Sequence, residues 1–535
     1  LAAPWRTLQK ANDTAPAGST IVIRGGVYRG VSVVVGNTLT FQAYPGEGAW
    51  LKGSEVLTSW MKDGTVWRSD GWVPRSSMAP GGNPGFIDPA YPAADYPDQV
   101  FLDGVPLGQV LQKSQVGPGK FYVDHTVQKL WIGDDPTGKL VEASSVATAM
   151  FVAAPGTKIL GLAFMQYAPT TTTPAAVILN APNITVENGV FAFNSYAGLQ
   201  LNGNVNNESL GYVIRGNDFV YNGGRGLGGY APNGSLVEKN YVGYNNTEHF
   251  KVSWDAAGAK FAHAWHLVVR DNVFEGNLSK GFWCDFACYD LKFVRNIAKG
   301  NAGAGFYYEL SQNAVIASNL VYNNDIGING TQSGDLAVWN NTVSNNGVQI
   351  AIDSYGAVDP ITGATGDATA PGIVRNNVVK NNILSGLGTQ LGGQYAMFYT
   401  FDNGGIKTGD QMISELDYDA YYRPSATFPG CLFIWAFDPC YGTLAAFRAA
   451  KNKETHGLGF DGGPNPFFVN EAAGDYRLTQ SGPAKGVGTP LPANVAADIG
   501  VQAGLPVDLG ALNWPGRPVL QKPNAPSGLV VLSMP

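Results

Sequence analysis

The sequence predicts an all-β protein whose body is a parallel β-helix. Three observations carry that prediction: a repeat with steps of 22 to 24 residues, a register of asparagines inside it, and a composition rich in turn formers and aromatics. Of 535 residues, 69 are Gly and 33 are Pro, 14% are charged and 11% are aromatic, including 12 Trp and 24 Tyr. This balance suits a turn-rich β protein with aromatic surface better than a helical one. The length exceeds one ordinary compact domain, but stacked repeats lengthen without splitting into domains.

From residue 183 the segments "VENGVFAFN", "IRGNDFVYN", "VEKNYVGYN", "VVRDNVFEGN", "FVRNIAKGN", "IASNLVYNN", "VWNNTVSNN" and "IVRNNVVKNN" stack beneath one another. Asn217, Asn240, Asn272, Asn296, Asn319, Asn341 and Asn377 recur in register. Each is followed five residues later by another: Asn222, Asn245, Asn277, Asn301, Asn324, Asn346 and Asn382. Between Asn272 and Asn341 the steps are 24, 23 and 22 residues. A steady period in this range marks a stacked repeat. The unit holds short β-branched and aromatic runs rather than a 3.6-residue pattern. Asparagine tolerates the left-handed backbone of tight corners, and identical side chains on successive coils can bond as ladders. Leucine-rich repeats share the period but need a regular Leu spacing that is absent.

Residues 1–50 read as a short capping helix and the first coil. Residues 51–145 break the pattern: Trp60, Trp67, Trp72 and Trp131 lie among Pro-rich turns and alternating runs such as "QVFLDGVPLGQVL", which predicts an inserted β-sandwich-like subdomain. Coils resume over 146–400. Residues 401–535 hold the last coils, a loop insertion and an extended tail, Pro-rich after residue 503 and expected along the outside.

Net charge of -7 without a Lys/Arg cluster argues against nucleic acid or an anionic membrane as partner. No apolar run approaches the roughly 18 to 20 residues that span a bilayer. The chain opens at "LAAPWRTLQKAND" without Met or a signal-peptide pattern, so an export segment is expected to have been removed or never present. Cys284, Cys288, Cys431 and Cys440 lack zinc-type spacing; pairing of Cys431 with Cys440 would favour an extracellular setting, and two separate buried thiols are equally compatible with the sequence.

Side chains alternate along a strand, so each Gly-led run sorts into core and surface. Five runs align as successive coils: Phe250-Lys251-Val252-Ser253, Phe282-Trp283-Cys284-Asp285, Phe306-Tyr307-Tyr308-Glu309, Ile328-Asn329-Gly330-Thr331 and Ile350-Ala351-Ile352-Asp353. Phe250, Phe282, Phe306, Ile328 and Ile350 form the expected inward stack. Lys251, Trp283, Asp285, Tyr307, Glu309, Asn329, Thr331 and Asp353 then face outward. Neighbouring strands lie about 4.8 Å apart, so the Asp285 and Glu309 carboxyl groups are expected about 5 to 5.5 Å apart, the separation used by retaining glycosidases. Glu309 and Asp353 fall two coils apart, roughly 10 Å. Repulsion between facing carboxylates raises one pKa and keeps that group protonated. Lys251, placed diagonally near Asp285, would keep Asp285 ionised, which makes Asp285 the nucleophile and Glu309 the acid/base. Trp283 and Tyr307 offer faces for a sugar ring, and Asn329 and Thr331 offer hydroxyl partners. Asp353 reads equally as a subsite residue or a solvated acid, Trp254 as cover or sugar platform, and His263 as a wall residue that could line the cleft. Glu187, Arg215, Glu238 and Arg270 recur before the asparagines as a structural stripe.

The opening section resembles the start of many right-handed, pectin-lyase-like β-helix proteins, and "NPFFVNEAAGDYRLTQSGPAKGVGT" resembles their closing segment. Trp283-Cys284-Asp285 and Tyr308-Glu309, one coil apart, are similar to the motifs of the β-helix retaining glycoside hydrolases typified by a bacterial β-xylosidase. That family also carries a β-sandwich inserted near the start of its helix. The resemblance implies an Asp nucleophile at Asp285 and a Glu acid/base at Glu309, and a carbohydrate as partner. A secreted or surface-acting glycosidase without a metal or other cofactor is the resulting expectation. Two rivals stay open: a polysaccharide lyase or epimerase using Lys251 as base, and a non-catalytic glycan-binding β-helix.

Overall fold

The computed structural model describes residues 4–72, 84–94, 96–205, 209–354, 374–387, 396–405, 407–425, 427 and 430–511. The part of the expected outer tail beyond residue 511 lies outside them. Thr7 caps the helix Leu8–Thr14 by accepting the Lys10 backbone N–H, and Leu8 and Ala11 close the first coil's core. Beyond it, coils contribute strands to three long sheets of 12, 12 and 13 strands. Every pairing inside those three sheets is parallel, as in Phe282↔Phe306 and Phe306↔Ile328. The interior is a column of stacked apolar side chains. Phe164, Phe191 and Phe219 stack at 5.1 and 4.8 Å, and Phe282 lies parallel to Phe306 at 5.7 Å.

Two asparagine ladders run the length of the body. In one, Asn217, Asn240, Asn272, Asn296, Asn319, Asn341 and Asn382 bond in sequence. The other runs from Asn194 through Asn222, Asn245, Asn277, Asn301 and Asn324 to Asn346. The expected register is therefore corrected at one coil: Asn382 belongs to the first ladder, and Asn377 bonds Leu336 and Met412 instead. After the first member of each ladder, each amide oxygen takes two donors from the coil before it. Asn240 Oδ1, for example, accepts the Asn217 backbone N–H and side-chain N–H, both at 3.0 Å. These buried polar groups are thus satisfied. The left-handed residue is the one preceding the ladder asparagine: Lys239, Asp271, Arg295 and Ser318 have φ of 57°, 58°, 57° and 57°. Asparagine is needed for its amide rather than for its tolerance of positive φ.

A column of glycines packs against the second ladder. A Cβ on Gly258 would stand 2.5 Å from the Gly281 carbonyl oxygen and 2.7 Å from Asn277 Nδ2. On Gly281 it would stand 2.8 Å from the Gly305 oxygen and 2.9 Å from Asn301 Nδ2. Only glycine lets the backbone approach the ladder this closely.

Between Ser54–Val56 and Val141–Ser144, which pair antiparallel, the chain builds a four-stranded and a five-stranded sheet around Trp72, Val100, Leu102, Phe121, Leu130 and Ile132. Buried Glu142 ties this unit to the first coils through Lys52, at 2.8 Å, and Arg29. An arm from the unit crosses to the helix: Ile87 bridges Phe250, and Phe86 and Ile87 pack on Ile178, Tyr196 and Ala197. The stripe of Glu187, Arg215, Glu238 and Arg270 pairs across coils at 2.5 to 2.7 Å.

At the far end the helix Leu444–Lys451 lays Phe447 against Phe433, with ring centroids 3.9 Å apart. The hairpin of Phe468–Asn470 and Asp475–Leu478 and the helix Ala493–Ile499 pack on the outer faces. Disulfides join Cys284 to Cys288 and Cys431 to Cys440. Among the described residues no helix is long and apolar enough to cross a membrane.

Candidate active site

The site forms on the outer face of the sheet that contains Ala257–Ala262, Lys280–Cys284, Phe306–Glu309, Ile326–Thr331 and Val348–Ser354. Two outward columns run across these strands. One reads Gly228, Lys260, Trp283, Tyr307, Asn329, Ala351 and Tyr399 in register. The other contains Glu309, Thr331, Asp353 and Phe401. Asp285 directly follows Cys284, which pairs with Tyr308, so Asp285 is brought beside Glu309. Cys284 and Tyr308, between the columns, are fully buried.

The alignment of the preceding coil is corrected. Ala259-Lys260-Phe261, not Phe250-Lys251-Val252, lies under Phe282-Trp283-Cys284. Phe250 sits in the satellite cluster beneath the arm, and the Lys251 backbone N–H donates to Phe86 in the same crossing. Lys260 occupies the place assigned to Lys251. Its ammonium lies 2.9 Å from Asp285 Oδ2 and 3.6 Å from Asp255 Oδ1, and it also donates to the Trp254 carbonyl. The other oxygen of Asp285 accepts the Phe286 N–H at 2.8 Å. Arg225 completes the polar wall by pairing with Asp255 at 2.5 Å and with Gln200 at 2.8 Å.

Glu309 has a different environment. Trp283 Nε1–H donates to its Oε2 at 3.0 Å, and no ion pair to it occurs among the described residues. Burial, then the Asp285 charge, raises the Glu309 pKa above the ordinary carboxylate range; Lys280, Lys260 and a hydrogen bond with Tyr307 oppose the rise. One acid is thus held beside a cation while its neighbour favours the proton.

Trp283 is not a sugar platform. It is 2% exposed, with the Lys260 and Lys280 ammonium groups 3.7 and 4.0 Å from its ring centroid. Its work is to orient Glu309 and to carry two cations by cation–π attraction. Tyr307 is half-buried, its ring 5.6 Å from that of Trp283. Thr331 is also corrected: at 1% exposure its hydroxyl donates to Asp353 Oδ1 at 2.9 Å and does not face solvent. Asn329 is 8% exposed. Burial pushes Asp353 up to about 7, so it is no solvated acid. Trp254, by contrast, is 48% exposed at the rim, its ring 5.5 Å from Phe86. His263 stands between Tyr230 and Phe286 at 4.9 and 4.5 Å, and burial lowers its pKa against the pull of Asp285.

Sequence reasoning missed Lys280 and Arg225, read Asp255 as a turn residue, and took Lys260 only as one of several bases available to a lyase rather than as the partner of Asp285. A signal for Lys260 was available: Gly258, Gly281, Gly305 and Gly327 are spaced by 23, 24 and 22 residues, whereas Phe250 to Phe282 is 32. Among the described residues no group of His, Cys, Asp and Glu could hold a metal ion.

A coil-stacked body with paired carboxylates on its outer face defines the class: this is a right-handed parallel β-helix. Residues 175–348 match the family described as the right handed beta helix region. Among solved structures, the chain is similar to XylC in complex with xylose, with 15% identity, a TM-score of 0.64, and 88% of this chain and 85% of that one covered. It is more distantly similar to the mannuronan C-5 epimerase AlgE4 A-module of Azotobacter vinelandii, at 12% identity, TM-score 0.41, and 77% and 88% coverage. A mannuronic acid specific polysaccharide family 6 lyase from human gut microbiota stands at 11%, 0.41, and 87% and 90%. The likeness to XylC shows the fold alone. No curated protein sequence matches the chain.

Proposed function

We propose that this protein is a glycoside hydrolase that cleaves its substrate with retention, with Asp285 as nucleophile and Glu309 as acid/base. One observation carries the reading: two carboxylates on adjacent coils, one ion-paired to Lys260 at 2.9 Å and the other half-buried against Trp283 with a raised pKa. The spacing of about 4.8 Å between neighbouring strands is compatible with the short carboxyl separation of the retaining mechanism. In the first step protonated Glu309 gives its proton to the leaving oxygen while Asp285 attacks the anomeric carbon. In the second, ionised Glu309 takes a proton from water, which displaces Asp285. Trp254 and Tyr307 supply aromatic surface to a sugar. The two disulfides favour an extracellular or periplasmic setting.

The test screens aryl glycosides for release of the aryl alcohol, with the anomer formed first read by NMR. Retention is expected. Asp285→Asn and Glu309→Gln should each lower kcat by about 10³-fold or more, and Glu309→Ala should recover turnover of an activated glycoside with azide and yield a glycosyl azide. Intact activity in both carboxyl variants would refute the assignment. Lyase chemistry is the second reading, favoured by the Lys280 ammonium, whose pKa burial lowers to about 8. Lys251, docked under the arm, is no longer its base, and ultraviolet-absorbing unsaturated products would establish it.

A further inference from the structure

The groove carries three cations from three strands, and they are not equivalent. Arg225 is matched by Asp255, and Lys260 by Asp285. For Lys280 there is no carboxylate within ion-pair distance among the described residues. Its Nζ donates to the Val252 carbonyl at 2.5 Å and lies 4.0 Å from the Trp283 ring centroid and 5.2 Å from that of Tyr307. An ammonium has three N–H donors, and the carbonyl takes one. The aromatic rings attract the charge but accept no strong hydrogen bond. Lys280 is half-buried on the strand that leads to Asp285, which makes a cation without an ion-pair partner costly there. Burial drives its pKa down to about 8, against the pull of the more distant Glu309 and Asp285 charges.

We propose that Lys280 receives an anionic group of the substrate, so that the sugar bound in this groove carries a carboxylate or a sulfate ester. An anion in front of Lys280 would accept its remaining N–H groups in charge-assisted bonds and remove the cost of the bare cation. It would also shift the lysine toward its charged form. Arg225 and Lys260 are already matched in pairs, so while Glu309 holds its proton the anion would meet the positive charge of Lys280. This inference rests on the glycosidase reading for the identity of the occupant as a sugar, and not for the location of the cation.

Two measurements test it. The first is calorimetric binding to the intact Asp285→Asn protein of matched monosaccharides: the neutral pyranose, its 6-carboxylate and its 6-sulfate, in the gluco, galacto and manno series. At least one anionic form should bind tenfold or more tightly than its neutral partner, with a preference that weakens as salt is raised. In Asp285→Asn/Lys280→Met that ratio should fall to near one. The carboxylate and sulfate arms tell which anion is read. Equal or tighter binding of the neutral sugars, or a ratio unmoved by Lys280→Met, would overturn the proposal. The second is turnover of the corresponding aryl glycosides by wild type and Lys280→Met, read as the anionic to neutral ratio of kcat/KM, which should fall at least tenfold. Lys280-dependent binding without hydrolysis would leave this inference standing and remove the hydrolase reading. Hydrolysis of neutral glycosides with no anionic preference would do the reverse.

Discussion

Two pairs of acids among the described residues, Asp285 with Glu309 and Asp419 with Glu454, differ in an instructive way. Asp285 and Glu309 sit on the outer face among Lys260, Lys280 and Arg225. Asp419 and Glu454 are wholly buried at the far end of the body, with no ion pair to either among the described residues. In that end pair Asp419 Oδ1 accepts the Asn382 backbone and side-chain N–H groups at 2.6 and 2.8 Å, and Tyr421 donates to Glu454 at 2.6 Å. Asp419 therefore takes the place of the next ladder asparagine. Burial raises both pKa values, Asp419 to about 7. Stacked acids alone do not make an active site, since the end pair answers its own repulsion by keeping protons. A cation on one partner makes the groove pair unequal, and inequality is what acid and nucleophile require.

Removing that cation should have the largest effect. Lys260→Met leaves Asp285 without its ion-pair partner. Activity at neutral pH should fall by about 10². Unchanged activity would remove the distinction between the two pairs.

The end pair should respond in stability. Each of its groups has a folded pKa above its unfolded value, so the native state holds more protons in the interval between them. Its contribution is fully present below about pH 4 and is lost as pH rises through about 7. Asp419→Asn restores the ladder amide: Oδ1 can still accept from Asn382, and Nδ2 can donate to Glu454 without a shared proton. The variant should melt about 1 to 3 °C above wild type at pH 8, with little gain at pH 5. A lower Tm at pH 8 would contradict this account.

The smallest effect is expected at Trp283→Phe, which keeps ring packing and deletes the bond to Glu309. That bond favours the ionised carboxylate, so its loss should raise the Glu309 pKa further and move the basic limb upward by a few tenths of a pH unit, with a several-fold loss of kcat. A downward shift would show that Trp283 supports the protonated form.

Much of this was legible in the sequence because a coiled chain writes spatial neighbours at a steady interval. The asparagines announced the ladders, and the interval from Trp283-Cys284-Asp285 to Tyr307-Tyr308-Glu309 brought the carboxyls together. Reading failed where the interval was abandoned. Phe250 was matched to Phe282 by residue type across 32 residues, although Gly258 stood 23 before Gly281. The burial of Trp283 was not legible, since it depends on Lys260 from the adjacent strand and on the loop carrying Val252 and Trp254. The misplacement of Asn382 has a similar origin: the coil after Asn341 spans 41 residues, so the five-residue spacing no longer identified its ladder.

The glycine column gives each coil a fixed address. Lys260, Trp283, Tyr307 and Asn329 all stand two residues after a column glycine, while Asp285, Glu309 and Thr331 stand four after. The residues at one and three face the interior, so the chemistry can be rewritten at two positions per coil without repacking the core. The fold is in this sense modular: replacing Thr331 by an acid and relieving Asp285 would carry the carboxyl pair one coil along a scaffold that need not change.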